Sequence, residues 1–111
     1  MVIFSKDAMA GAIRIELYDD DNNNAIVDLQ NNVPSKDDIY AYYVPLLWEG
    51  WNIVTIPITS FSDINPTVGD NQWNPNHAYG SSGLTQLQLV VLSSKYPSES
   101  IECWIDTIKF N

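Results

Sequence analysis

Ala12-Ile13-Arg14-Ile15-Glu16-Leu17-Tyr18 alternates apolar and polar side chains along its length. Successive side chains of a β-strand point to opposite faces. Ile13, Ile15 and Leu17 therefore share one face, and Arg14, Glu16 and Tyr18 the other. This is the pattern of a half-buried antiparallel strand. Asp19-Asp20-Asp21-Asn22-Asn23-Asn24 follows it. Short carboxylates and amides bond their own backbone and tolerate left-handed conformations, so the run reads as a polar turn. It lacks the alternating Asp spacing, the Gly and the distal Glu of an EF-hand loop.

Outward from this strand, the same period recurs between turn-formers. Residues 25–29 read as a short return strand and 31–38 as a loop carrying Pro34. Residues 39–47 form a strand with Tyr40, Tyr42 and Tyr43. Which of these tyrosines face outward is left open by the pattern. Trp48-Glu49-Gly50-Trp51 is a tight turn, and 52–58 is a strand that Pro57 ends or confines to an edge. Phe61 reads as a core plug, and 62–83 as a long polar loop of the kind that often carries function. Residues 84–92 read as a buried strand, with Leu87, Leu89 and Val91 opposite Gln86, Gln88 and Val90. A turn with Pro97 leads to the last strand, within 101–110. Strand-like sequence also stands at Val2, Ile3 and Phe4. About seven short strands with Gly, Pro and Asn turns, and no amphipathic helix, predict an all-β antiparallel sandwich or jelly roll in one domain.

Charge narrows the partners. The 111 residues carry 14 acids against five Lys and Arg, for a net charge of −9. Binding nucleic acid needs clustered Lys and Arg, so no nucleic acid is expected. Anionic membrane surfaces are disfavoured in the same way, and no apolar run approaches the ~20 residues that span a bilayer. A neutral ligand, a cation or a protein fits better. With a single cysteine, Cys103, no intramolecular disulfide forms, and the thiol reads as a small core hydrophobe. No signal peptide is read at the first residues.

Three landmarks then occur in order. Gly50-Trp51-Asn52-Ile53-Val54-Thr55-Ile56-Pro57-Ile58-Thr59-Ser60-Phe61, Leu84-Thr85-Gln86-Leu87-Gln88-Leu89 and Trp104-Ile105-Asp106-Thr107-Ile108-Lys109-Phe110 resemble successive stretches of bacterial β-sandwich carbohydrate-binding modules with a galactose-binding-like jelly-roll fold. The resemblance covers most of the chain. It implies that Met1 to Lys6 open the body of the sandwich and that the family's preceding segment is missing. It also implies packing roles for Trp51 and Phe61, and a structural Ca²⁺ held by Asp106 together with oxygens of that segment.

Sugar binding needs flat rings to stack on pyranose faces and planar polar groups to bond vicinal hydroxyls. Trp73 and Tyr79 lie among Asn71, Gln72, Asn74, Asn76 and His77 in the long loop, either as a saccharide platform or as rings that hold the loop down. Arg14, Glu16 and Tyr18 on one strand and Gln86 and Gln88 on another would form a polar surface if those strands were neighbours, and Tyr43 could join them. The alternative is an ordinary solvated face. Glycosidases need two carboxylates about 5–9.5 Å apart across the sugar, and no spacing singles out a pair among Glu16, Glu49, Glu102 and Asp106. The expected function is a non-catalytic carbohydrate-binding module, secreted or at the cell surface. It would target a linked polysaccharide-degrading enzyme to β-glucan, mannan or xylan. The rival is a structural or protein-interaction sandwich that packs or dimerises through an exposed strand edge.

Overall fold

The computed structural model describes residues 1–75, 83–94 and 100–110. Among them it places β1 (Val2–Ser5), β2 (Gly11–Asp19), β3 (Leu29–Gln30), β4 (Val33–Pro34), β5 (Asp38–Pro45), β6 (Gly50–Ile53), β7 (Ser62–Asp63), β8 (Leu84–Ser93) and β9 (Cys103–Asp106), with a 3₁₀ turn at Ile58–Ser60 and no α-helix. The chain is all-β with antiparallel sheets, the class of a β-sandwich. The sheet orders are β6-β1-β9, β7-β5-β2-β8 and the ribbon β3-β4. Contacts divide the chain into two compact units, residues 1–14, 43–60 and 90–111 in one and 15–42 and 61–89 in the other.

In the first unit, β1 is the central strand, with Ile3 opposite Asn52 and Ile105, and Phe4 opposite Trp51 and Trp104. Alternation sends Ile3 and Ser5 inward, where both are fully buried. Ala10, Ile13, Val44 and Leu46 complete this unit's core. The other face carries a row of rings. Phe4 meets Trp51 edge-on at 5.4 Å and Trp104 edge-on at 4.8 Å between centroids. Trp51 is 59% exposed, which corrects the expectation that it packs inside. Its strand also stops at Ile53 rather than running to residue 58.

In the second unit the apolar core is Ile15, Leu17, Tyr18, Ile39 and Ala41. The return strand expected at 25–29 does not form. The acids fold that stretch instead: Asp20 accepts from the backbone N–H of Asn22, Asn24 and Ala25, and Asp28 accepts from the side-chain amides of Asn22 and Asn24. The polar turn thus closes on its own carboxylates, as short acids do. The chain then pairs locally, Leu29 with Pro34 and Gln30 with Val33. Asn31 and Asn32 turn it at φ 54° and 61°, the left-handed pair of a type I′ hairpin.

Two further expectations change. The stretch after Phe61 is not all loop, since Ser62–Asp63 pairs with Tyr40 and Ala41 of β5. Strand β8 is not buried. It ends the four-stranded sheet among the described residues, and Leu84, Leu87, Val91 and Leu92 are exposed. Phe61 is half-buried against Tyr42, ring centroids 5.8 Å apart.

Candidate functional site

Strands β2 and β8 are neighbours, so the residues that depended on that adjacency can be placed. In the second unit, the Tyr18 hydroxyl donates to Glu16 Oε2 at 3.0 Å and lies 3.3 Å from Gln88 Oε1. Gln86 Nε2 donates to the same Gln88 oxygen at 2.9 Å. Glu16 and Tyr18 are 4% and 6% exposed. The open face expected at these two residues is therefore covered. Tyr18, Gln86 and Gln88 line a cleft of about 330 Å³ with Val27, Leu29, Asn32 and Pro34. The last four belong to the ribbon and the chain leading into it, the segment that alternation in β2 could not foresee. The cleft thus joins two amides and a phenol to an apolar wall.

In the first unit, Arg14 Nη1 donates to the Tyr43 hydroxyl at 3.4 Å, and its guanidinium lies 5.9 Å from the Tyr43 ring centroid. Tyr43 is the outward-facing tyrosine of β5, while Tyr40 and Tyr42 are half-buried. Trp73 is half-buried and meets Tyr40 edge-on at 5.2 Å. Its chain neighbours are tied to acids: Gln72 N donates to Asp38 Oδ2 at 3.1 Å, and Asn74 N to Asp19 Oδ2 at 2.6 Å. His77 and Tyr79 lie outside the described residues. Asp106, the expected calcium ligand, is exposed on β9 and accepts from the Thr107 hydroxyl at 3.1 Å.

The acids that do converge are others. Asp21, Asp38 and Asp70 each offer a carboxylate oxygen within 4.8 Å of the other two, a group that could hold a metal ion. Asp21 follows β2, Asp38 opens β5 and Asp70 lies in the turn after β7. Burial raises the Asp38 carboxyl to about 7, aided by the charge of Asp21, against the hydrogen bond from Gln72. Burial likewise raises Asp21 to about 6, opposed by the hydrogen bond from Asp38 N. The other charges acting on Asp38 are Asp63 and Asp70, of the same sign. Asp37 beside it is raised by burial as well.

Sequence reasoning passed over this cluster because its members are far apart in the chain and follow no ligand spacing. One local signal was present. Asp is disfavoured in strands, yet Asp37-Asp38 leads directly into the aromatic strand β5. No protein-family model, curated protein or solved structure matches the chain.

Proposed function

We propose that this domain is a non-catalytic carbohydrate-binding module with a jelly-roll sandwich fold, acting outside the cell to hold a linked polysaccharide-degrading enzyme on a neutral plant polymer such as β-glucan, mannan or xylan. The observation that carries this reading is the cleft lined by Tyr18, Gln86 and Gln88. Its amides suit vicinal hydroxyls, and Leu29, Val27 and Pro34 suit the apolar face of a sugar ring. Small-molecule sites have the same make-up, apolar walls with a few placed polar groups. Weak binding there raises the local concentration of a tethered enzyme on its polymer. The charge of −9 favours neutral over acidic glycans. A hard cation is what an all-carboxylate cluster selects, so structural Ca²⁺ is the metal that accompanies this reading.

Isothermal titration with mannan, xylan and β-glucan oligosaccharides tests it, using wild type and Gln88→Ala. Saturable binding to one class, weakened at least tenfold by the substitution, is expected. No heat with any of the sugars from a folded sample would remove the reading.

The assembly reading is favoured by a different observation, the exposed Leu84, Leu87, Val91 and Leu92 on edge strand β8. Exposed apolar edges template pairing with another chain. Concentration-dependent sedimentation without sugar binding would put this reading first.

A further inference from the structure

The Asp21, Asp38 and Asp70 carboxylates are held in place with part of their capacity unused. Asp21 Oδ2 accepts from Asp38 N at 2.8 Å, and Asp38 Oδ2 accepts from Gln72 N at 3.1 Å. Asp70 Oδ1 accepts from Gln72 N at 2.8 Å, and its Oδ2 from Asn74 Nδ2 at 3.0 Å. These bonds fix the three carboxylates. The remaining oxygens Asp21 Oδ1 and Asp38 Oδ1 have no hydrogen-bond partner. Asp38 is fully buried. A fully buried carboxylate oxygen without a donor costs on the scale of a lost charged hydrogen bond, so it is kept where something else satisfies it.

Two neighbours bear on what that is. Gly69 lies against the cluster so closely that a Cβ there would overlap Asp38 Oδ1 and Asp21 Oδ2. Only glycine lets the backbone come this close to the two carboxylates. Asn74, which donates to Asp70, also carries a buried Oδ1 without a partner. All these free atoms are oxygens. Among the described residues the cluster offers carboxylate oxygens alone, which selects a hard cation over a transition metal. Ca²⁺ takes oxygens at about 2.3–2.6 Å in flexible geometry, whereas Mg²⁺ needs a tight octahedron at about 2.0–2.1 Å. The three carboxylates each offer an oxygen within 4.8 Å of the other two, a separation that a calcium ion with ligands at about 2.3–2.6 Å can bridge.

We propose that Asp21, Asp38 and Asp70 bind one Ca²⁺ ion, with buried Asp38 as the anchor. The ion joins the end of β2, the start of β5 and the turn at Gly69-Asp70, three pieces that otherwise bring like charges together. It is a structural site, distinct from Asp106. It uses none of the cleft residues Tyr18, Gln86 or Gln88, so a titration with metal alone tests it whatever the sugar result.

The test is calorimetric titration of the whole chain, stripped with EDTA and dialysed, with CaCl₂ and separately MgCl₂, alongside thermal unfolding in each. One calcium per chain is expected, with a Kd within about 10⁻⁶ to 10⁻³ M, magnesium at least tenfold weaker, and a higher unfolding midpoint in calcium. Asp70→Asn, at an exposed position, is expected to fold and to weaken calcium at least tenfold. Asp38→Asn is expected to abolish binding, and if it does not fold, Asp70→Asn decides. Asp106→Asn is expected to bind as wild type does. Folded wild type that shows no saturable calcium binding within that range overturns the proposal. So does binding that survives Asp70→Asn, binding lost in Asp106→Asn, or magnesium binding as tightly as calcium.

Discussion

The side-chain amide of Asn65 brackets Asp38: its Oδ1 accepts from Ile39 N at 2.7 Å and its Nδ2 donates to the Asp37 carbonyl at 2.9 Å. The amide thus satisfies the backbone on either side of the buried acid. It extends the β5–β7 ladder with a side chain where the strand itself has ended, just past the bond from Ile64 N to the Ile39 carbonyl. Asp37, Asp38 and Ile39 are all buried, so water does not readily replace the lost partner. Asn65→Ala is expected to lose about 2 kcal/mol or more of stability, since it strands two buried backbone groups. Urea denaturation at fixed calcium measures it. An unchanged midpoint would show that those groups find other partners.

The fold was legible where one residue type decided its own environment. Ile13, Ile15 and Leu17 are all buried, as their period predicts. Alternation assigns a side chain to a face, however, and says nothing of what covers that face. Alternation puts Tyr18 and Glu16 on the polar face, yet both are buried, and the segment around the ribbon faces Tyr18 across the cleft. Strand β8 failed for the converse reason. Leu87 and Val91 look like core residues by type, but an edge strand leaves them half in solvent. The polar turn at Asp19–Asn24 was legible as a turn, while the acid it sends to Asp38 and Asp70 was not, because convergence of three distant segments is a property of topology. Trp51 shows the limit of resemblance: its motif implied packing, and its place opposite Phe4 on the outer face of a three-stranded sheet leaves it exposed.

The ribbon gives a prediction with a local cause. Asn31 and Asn32 both sit in the left-handed region, at φ 54° and 61°, where a residue other than Gly, Asn or Asp costs roughly 1–2 kcal/mol. Asn31→Ala is expected to loosen the β3–β4 turn by about that amount. Asn32 lines the cleft and Asn31 does not. A weakened sugar response in Asn31→Ala, without any loss of a lining group, would therefore report the ribbon as the cleft's wall. Amide exchange in residues 29–34 should accelerate in parallel. Unaltered exchange would mean that the turn is held by something other than its own backbone preference.

Phe4 and Trp104 offer a test of the exposed aromatic row. Their rings meet edge to face at 4.8 Å across paired strands, a geometry that contributes about 0.5–1.5 kcal/mol beyond area burial. A double-mutant cycle with Phe4→Leu and Trp104→Leu is expected to give a coupling energy in that range. Trp104 is 51% exposed, so its single substitution should cost less than truncation of a buried core residue. A coupling near zero would mean that the two rings touch without stabilising the sheet.

Cys103 pairs with Ser5 at the start of β9, and burial pushes its thiol above the ordinary range. The thiolate is the species that reacts with alkylating agents. Raising the pKa lowers the thiolate fraction at neutral pH, so iodoacetamide is expected to modify the folded protein more slowly than a free cysteine at pH 7.5. The rate should climb with pH beyond the point where a free thiol's rate has levelled, because the deprotonation midpoint lies higher. In urea the environment that raises the pKa is gone, and the rate should return to that of a free thiol. Mass-resolved alkylation at several pH values, with and without urea, distinguishes the cases. Modification of the folded protein at the free-thiol rate would place Cys103 in water rather than on the inward face of β9, and would count against the register that sets it beside Ser5.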